Sequence, residues 1–219
     1  MRLTPLMLWV VLSGCFPAYS PPIRGVGGGM PDRVGRDQLE VGGGAAGWAT
    51  PPTTGGPHMA YGVSDTLVIE AGGNLNFVEG LWATVWGGGR VLRKWPLNDD
   101  FTASATFEFG AGAGIGGRDG SMRRWTDLAV GGVYDGVGVG LRYRFLGAFL
   151  RGRVDGTVNT RAPMTLWASV FGGLEATIAR RVVVSAGGGT MLISNQPTLF
   201  ATWFYQAAVS ILLGELPEQ

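Results

Sequence analysis

Between Phe101 and Gly116 the chain reads FTASATFEFGAGAGIG. Alternate positions there are made of different material. Phe101, Ala103, Ala105, Phe107, Phe109, Ala111, Ala113 and Ile115 are all apolar. Between them lie Thr102, Ser104, Thr106, Glu108 and then glycines. A helix scatters such positions around its circumference, whereas a strand sorts them onto two faces. The same split recurs along the chain. Leu67, Ile69, Ala71, Leu75 and Phe77 oppose Glu70, Asn74 and Asn76. Val137, Val139, Leu141, Tyr143, Phe145 and Phe149 oppose Gly138, Gly140, Arg142 and Arg144. Leu166, Ala168, Val170, Leu174, Ala176 and Ile178 oppose Thr165, Ser169, Glu175 and Thr177. Ala201, Trp203, Tyr205, Ala207, Val209, Ile211 and Leu213 oppose Thr202, Gln206 and Ser210.

The pattern predicts an all-β chain with strands over 38–49, 57–63, 66–77, 81–93, 101–116, 126–134, 137–149, 164–178, 181–193 and 198–213. Tight turns are expected at Ser64-Asp65, Asp135-Gly136 and Ala179-Arg180, the Asp-Gly pair being a strong hairpin signal. Longer, polar connections are expected at 50–56, 117–125, 150–163 and 194–197. The second strand is weakly patterned. The connection near Glu79-Gly80 is short for its side and Lys94 to Asp100 is long for its side, so eight strands stays open beside ten.

Alternation alone suits a soluble sandwich as well as a barrel. Three features favour an antiparallel up-and-down transmembrane barrel. Many segments run longer than the usual five or six residues and suit a tilted bilayer crossing of about 9 to 11 residues plus overhang. The non-apolar face is small and sparsely charged, as a narrow lumen requires. Trp48, Trp82, Trp125, Trp203, Tyr61, Tyr134 and Tyr143 fall mostly toward strand ends, as interfacial girdles would. A soluble periplasmic β-sandwich is the rival.

Composition agrees. Charged residues are 15% of the chain, against about 25% in soluble domains. Glycine numbers 39 of 219 residues. Disorder does not account for it, because 8 Trp, 10 Phe and 5 Tyr accompany the glycines. On the inner face of a small, strongly curved barrel, glycine leaves room for opposing side chains. The net charge of +1 gives no electrostatic case for nucleic acid. One cysteine and one histidine leave no disulfide and no cysteine-cluster metal site.

The single cysteine has another reading. Arg2, the apolar run Leu6 to Leu12, and the small residues Ser13 and Gly14 form an export signal over 1–14. Leu12-Ser13-Gly14-Cys15 resembles the lipobox of bacterial lipoproteins, which implies lipidation at Cys15. Residues 15–37 are rich in Pro and Gly and read as a flexible tether. The barrel then covers 38–214, with a tail over 215–219. The stretch YGVSDTLVIEAG from Tyr61 is similar to a hairpin and strand found in many bacterial outer-membrane barrels. The whole pattern resembles small Gram-negative outer-membrane barrels. That likeness implies an outer-membrane location and a tether starting on the periplasmic side. The chain departs from the usual aromatic C-terminus, ending Gly-Glu-Leu-Pro-Glu-Gln.

The chemistry expected is sparse. Glu70, Glu108, Arg142, Arg144 and Glu175 are the lumen-facing charges, with Arg90 and Asp127 as weaker candidates. They read better as an ion-paired plug than as a binding path, because unpaired buried charge is costly. His58 lies near Ser64 and Asp65 in sequence and reads as a loop residue. The glycine runs at 25–29 and 110–117 lack the context and the Lys-Ser/Thr ending of a phosphate loop. RRW at 123–125 reads as a loop tip. No catalytic residue, cofactor or metal is expected. The expected partners are outer-membrane lipid and other envelope proteins. The role expected is structural or adhesive, or that of a membrane-embedded subunit, with a narrow channel as the alternative.

Overall fold

The computed structural model describes Pro22, Arg24 and residues 29–47, 53–77, 81–117, 128–160, 164–195 and 198–214. Ten strands are present: β1 Leu39–Gly47, β2 Thr54–Gly62, β3 Leu67–Asn76, β4 Leu81–Pro96, β5 Phe101–Gly117, β6 Leu128–Tyr143, β7 Leu146–Asn159, β8 Thr165–Ile178, β9 Val182–Asn195 and β10 Thr198–Leu213. Each is antiparallel to the next. β1 also pairs with β10, from Leu39 opposite Leu213 to Gly47 opposite Tyr205, and this closes the sheet. Ten strands is the count, and the closed ring removes the sandwich.

Alternation sorts the residues as expected. On β5, Phe107, Phe109 and Ile115 are exposed, while Ser104, Thr106 and Glu108 are buried. Val85, Val133, Leu174 and Trp203 stand on the outside, more than 60% exposed. Apolar surface on this scale covers the wall of the barrel, far beyond what soluble monomers expose. A closed barrel with an apolar outer wall and a polar interior is built to span a bilayer.

The structure departs most from the sequence pattern in β6 and β7. Asp135-Gly136 is not a turn; it sits inside β6, paired with Phe109-Glu108 on one side and Val154-Arg153 on the other. The turn falls at Arg144-Phe145, where Arg144 adopts a left-handed φ of 51°. A two-residue hairpin signal inside a long alternating run was overridden by continuous ladders to both neighbours. The stretch 150–163, expected as a loop, is mostly β7. Crossing the true turn also shifts the parity, so Phe149 points inward instead of outward. Trp82 and Tyr134, expected in girdles, are lumenal as well. Tyr61, Tyr143 and Trp203 do face outward, while Trp48 and Trp125 lie outside the described residues.

The two ends of the barrel differ. One end holds the connections 63–66, 97–100, 144–145 and 179–181, and it is where β1 begins and β10 ends. The other holds 48–53, 77–80, 118–127, 160–164 and 196–197. We call these the short-turn and long-loop mouths.

Candidate functional site

The lumen is occupied by the segment that precedes β1. Its residues 29–37 fall in the span expected as a flexible tether, yet they pack against the inner wall. Met30 is wholly buried among Phe149 and Phe171. Val34 joins Ala60, Val68, Val183 and Leu212. Glycines make the space. A Cβ at Gly140 or Gly147 would run into the Met30 side chain, and one at Gly62 would run into the Gly35 carbonyl. The inner-face glycines near the short-turn mouth therefore make room for a strap of main chain as well as for side chains of the wall.

Two arginines of this segment tie non-neighbouring strands together. Arg24 Nη1 lies 2.6 Å from Glu70 Oε1 on β3 and 3.1 Å from Glu108 Oε2 on β5. Its guanidinium also stacks 4.6 Å from the centre of the Trp86 ring and 5.4 Å from that of Tyr134. Arg153 on β7 donates to the Arg24 carbonyl. Arg33 Nη2 lies 2.6 Å from Glu40 Oε1 on β1, and its Nη1 lies 3.1 Å from Glu175 Oε2 on β8. The Met30 amide donates to that same Glu175 oxygen at 2.8 Å. Asp32 completes the set by accepting from Arg142, which also reaches Glu175 at 3.0 Å.

The buried charges of the lumen balance. Among the described residues, the strands supply Arg90, Arg142, Arg151 and Arg153 against Glu40, Glu70, Glu108, Asp155 and Glu175. The segment adds Arg24, Arg33 and Asp32, which makes six cations and six anions. Glu108 is the hub of the middle layer, taking Arg24 from the segment and Arg151 at 3.3 Å from β7, with Arg90 opposite it in the β4–β5 ladder. Arg153 pairs with Asp155 at 2.9 Å. Buried charge is tolerable only when paired and hydrogen-bonded in this way.

Glu70, Glu108, Arg142 and Glu175 are thus lumenal, in two sets: Arg24 joins the first pair, and Arg142 pairs directly with Glu175. Arg90 is lumenal too, and Asp127 lies outside the described residues. Arg144 is not lumenal. It stands in the β6–β7 turn with its side chain 61% exposed, 2.8 Å from Asp100. The hydrogen bond and charge of Asp100 hold its guanidinium above the ordinary arginine range. His58 is not in a loop. It is a β2 residue whose Nε2 sits 2.9 Å from Glu40 Oε1. Ser64 receives the Thr66 and Leu67 amides in the turn, so His58, Ser64 and Asp65 form no triad. Cys15 lies outside the described residues.

Arg151, Arg153 and Asp155 are lumenal too, in a stretch whose polar composition suggests a loop but which forms β7. Their spacing carried the signal: charges two apart, alternating with Gly152 and Val154, share one face of a strand. Arg24 and Arg33 had no comparable signal, since nothing periodic surrounds them.

Among the described residues, buried side chains pack across the lumen near the long-loop mouth. Near the long-loop mouth Trp82 and Trp86 pack with Leu128, Val130 and Tyr134, and Trp167 packs with Met191 and Ile193. A void of about 30 Å³ remains beside Pro22, lined by Ala46, Thr54, Asn76, Phe204 and Gln206. That is room on the scale of one or two waters. At the short-turn mouth a vestibule of about 330 Å³ is lined by Lys94, Arg142, Arg144 and Arg180 and ends on Asp32 and Arg33.

No family model matches the chain, and no curated protein matches it. Solved structures resemble it more loosely. The N-terminal β-barrel domain of Pseudomonas aeruginosa OprF aligns over 82% of this chain and 99% of its own, with 8% identity and a TM-score of 0.41. A de novo designed protein, TMB2.3, aligns over 83% and 98%, with 16% identity and a TM-score of 0.35. A bacterial polysaccharide outer membrane secretin aligns over 81% and 98%, with 7% identity and a TM-score of 0.27. None of the three adds to what the closed sheet itself establishes.

Proposed function

We propose that this chain is a bacterial outer-membrane barrel, exported by residues 1–14 and lipidated at Cys15. Its role is that of a sealed structural or adhesive unit, or of a membrane-embedded subunit of an envelope assembly. The single observation that supports the sealed reading is the buried set of contacts at Arg24, whose guanidinium pairs with Glu70 on β3 and Glu108 on β5 while its carbonyl accepts from Arg153 on β7, placing main chain and paired charge inside the lumen. An ion must break buried pairs to pass. The barrel wall is the working surface on this reading, and the interior is scaffold. His58, the chain's one histidine, pairs with Glu40 on β1, while Ser64 accepts backbone amides in the 63–66 turn.

Conductance tests the reading. Full-length protein that shows a heat-dependent mobility shift in SDS, and so is folded as a barrel, is expected to give no steady current in planar bilayers. Stepwise conductance from that same folded material would favour the narrow-channel alternative. The absence of any heat shift would count against the barrel itself.

A further inference from the structure

The buried segment has a direction. Running backwards from β1, its described residues start at the short-turn mouth and reach toward the long-loop mouth at Pro22. Val34 touches Val68 and Leu212, near the short-turn ends of β3 and β10. Met30 and Arg33 meet Glu175, three residues from the short-turn end of β8. Arg24 meets Glu70 and Glu108 farther in. Pro22 lines the same small void as Ala46 and Gly47 at the far end of β1, Thr54 at the start of β2 and Asn76 at the end of β3. The order of neighbours along β3, with Val68 beside Val34, Glu70 paired with Arg24 and Asn76 sharing a void with Pro22, follows the order 34, 24, 22 along the segment. The described residues of the segment thus lie progressively farther from the short-turn mouth.

The longest connection, 118–127, belongs to the mouth nearer Pro22. In bacterial barrels the long connections face the cell exterior and the short turns face the periplasm. Cys15 precedes Pro22 by seven residues, a reach of at most about 25 Å when fully extended. The apolar band to be traversed is itself about 25 Å tall. The lumen is already filled, and the route over the rim is longer than the band. Seven residues therefore cannot return Cys15 to the periplasmic leaflet.

We propose that the segment is threaded outward through its own barrel, so that the chain ahead of Pro22, with the acyl anchor at Cys15, lies at the cell surface in the outer leaflet. The inference rests on Cys15 being the acylated residue, and it replaces the expectation of a tether starting on the periplasmic side. The ion pairs of Arg24 and Arg33 lock the thread in place. The second anchor gains a purpose: it holds the long-loop mouth against the outer leaflet, on the face an external partner meets.

The test uses the fact that Lys94 is the chain's single lysine and lines the short-turn mouth. Whole cells carrying the full-length Ser20→Lys variant are treated with a membrane-impermeant amine-reactive ester, and labels are mapped by peptide mass spectrometry. The introduced lysine is expected to be labelled at least tenfold more than Lys94 in intact cells, with Lys94 joining only after the outer membrane is permeabilised. Three results would overturn the threading: labelling of position 20 only after permeabilisation, labelling of Lys94 but not position 20 in intact cells, or labelling of position 20 in neither state. Ala18→Lys serves if Ser20→Lys loses the heat-dependent shift. Incorporation of labelled palmitate, and its loss in Cys15→Ser, reports the anchor separately. Failure there overturns the anchored part and the lipidation reading together, while the heat shift still decides whether the barrel stands.

Discussion

The outer and inner walls of the barrel are made from the same strands, residue by alternate residue, but different things complete them. Lipid completes the outer wall, and any apolar side chain of suitable size will serve there. The outer positions of β5 are Phe, Ala and Ile in no special order. The inner wall is completed by other parts of the chain, and each inward residue answers to a particular partner. Gly140 and Gly147 answer to Met30, and Glu40 and Glu175 answer to Arg33. One wall tolerates substitution by class, and the other only by pair.

The largest expected break of that contrast is at Glu108. Glu108→Ala leaves Arg24 and Arg151 facing each other with their shared acceptor gone. Removing one partner of a buried ionic set costs about 3–5 kcal/mol. The expected outcome is a loss of that order in urea unfolding followed by the heat-dependent shift. Glu108→Gln keeps the volume and should recover only part of it. A loss below 1 kcal/mol for the alanine variant would mean that the lumen charges are solvated and that the plug is not tightly held.

The same contrast decides what could be read in advance. Strand existence, ten candidate strands and the face of Glu70, Glu108, Arg142 and Glu175 were legible because period two is a local property. The β6–β7 turn was not. Asp135-Gly136 has local turn chemistry, and only the ladders to Phe109 and Val154 show that β6 runs through it. The cost of that slip was specific: Arg144 was placed inside, Phe149 outside, and Arg151, Arg153 and Asp155 were lost to a supposed loop. The strap was illegible for a different reason. A Pro- and Gly-rich stretch has no periodicity, and its burial depends on inner-wall residues far from it in sequence. The excess of inward glycine was a trace of it, legible as space but not as a statement of what fills the space.

A smaller effect, of opposite sign, comes from the outer wall. Asp135 is the exception to its apolar rule, exposed midway along β6 between Val133 and Val137. Among the described residues no hydrogen bond or ion pair holds its carboxylate. A carboxylate facing the middle of a bilayer destabilises a barrel by roughly 1–3 kcal/mol. Asp135→Val is therefore expected to raise the unfolding free energy by about that amount, in lipid vesicles. A destabilised variant would show that Asp135 makes a favourable interaction in the membrane and that the outer wall is not indifferent to identity there.

The smallest effect is expected at Arg144, and it sharpens the contrast by belonging to neither wall. Its ion pair with Asp100 is as short as those in the lumen, 2.8 Å against 2.6 Å for Arg24 with Glu70. Distance is not what separates them. Arg144 and Asp100 are open to water, which screens their attraction and hydrates either charge when the other is removed. Arg24 and Glu70 have no water to fall back on. Arg144→Ala should leave the unfolding midpoint and the heat-dependent shift unchanged at physiological salt, while Arg24→Ala should lower both. An Arg144→Ala loss matching that of Arg24→Ala would mean that the β6–β7 turn is a structural staple. Arg144 is also one of two positive-φ residues flanking the vestibule, with Arg180. Glycine at position 144 should relax the left-handed backbone while removing the same charge, so Arg144→Gly separates the strain of the turn from the ion pair above it.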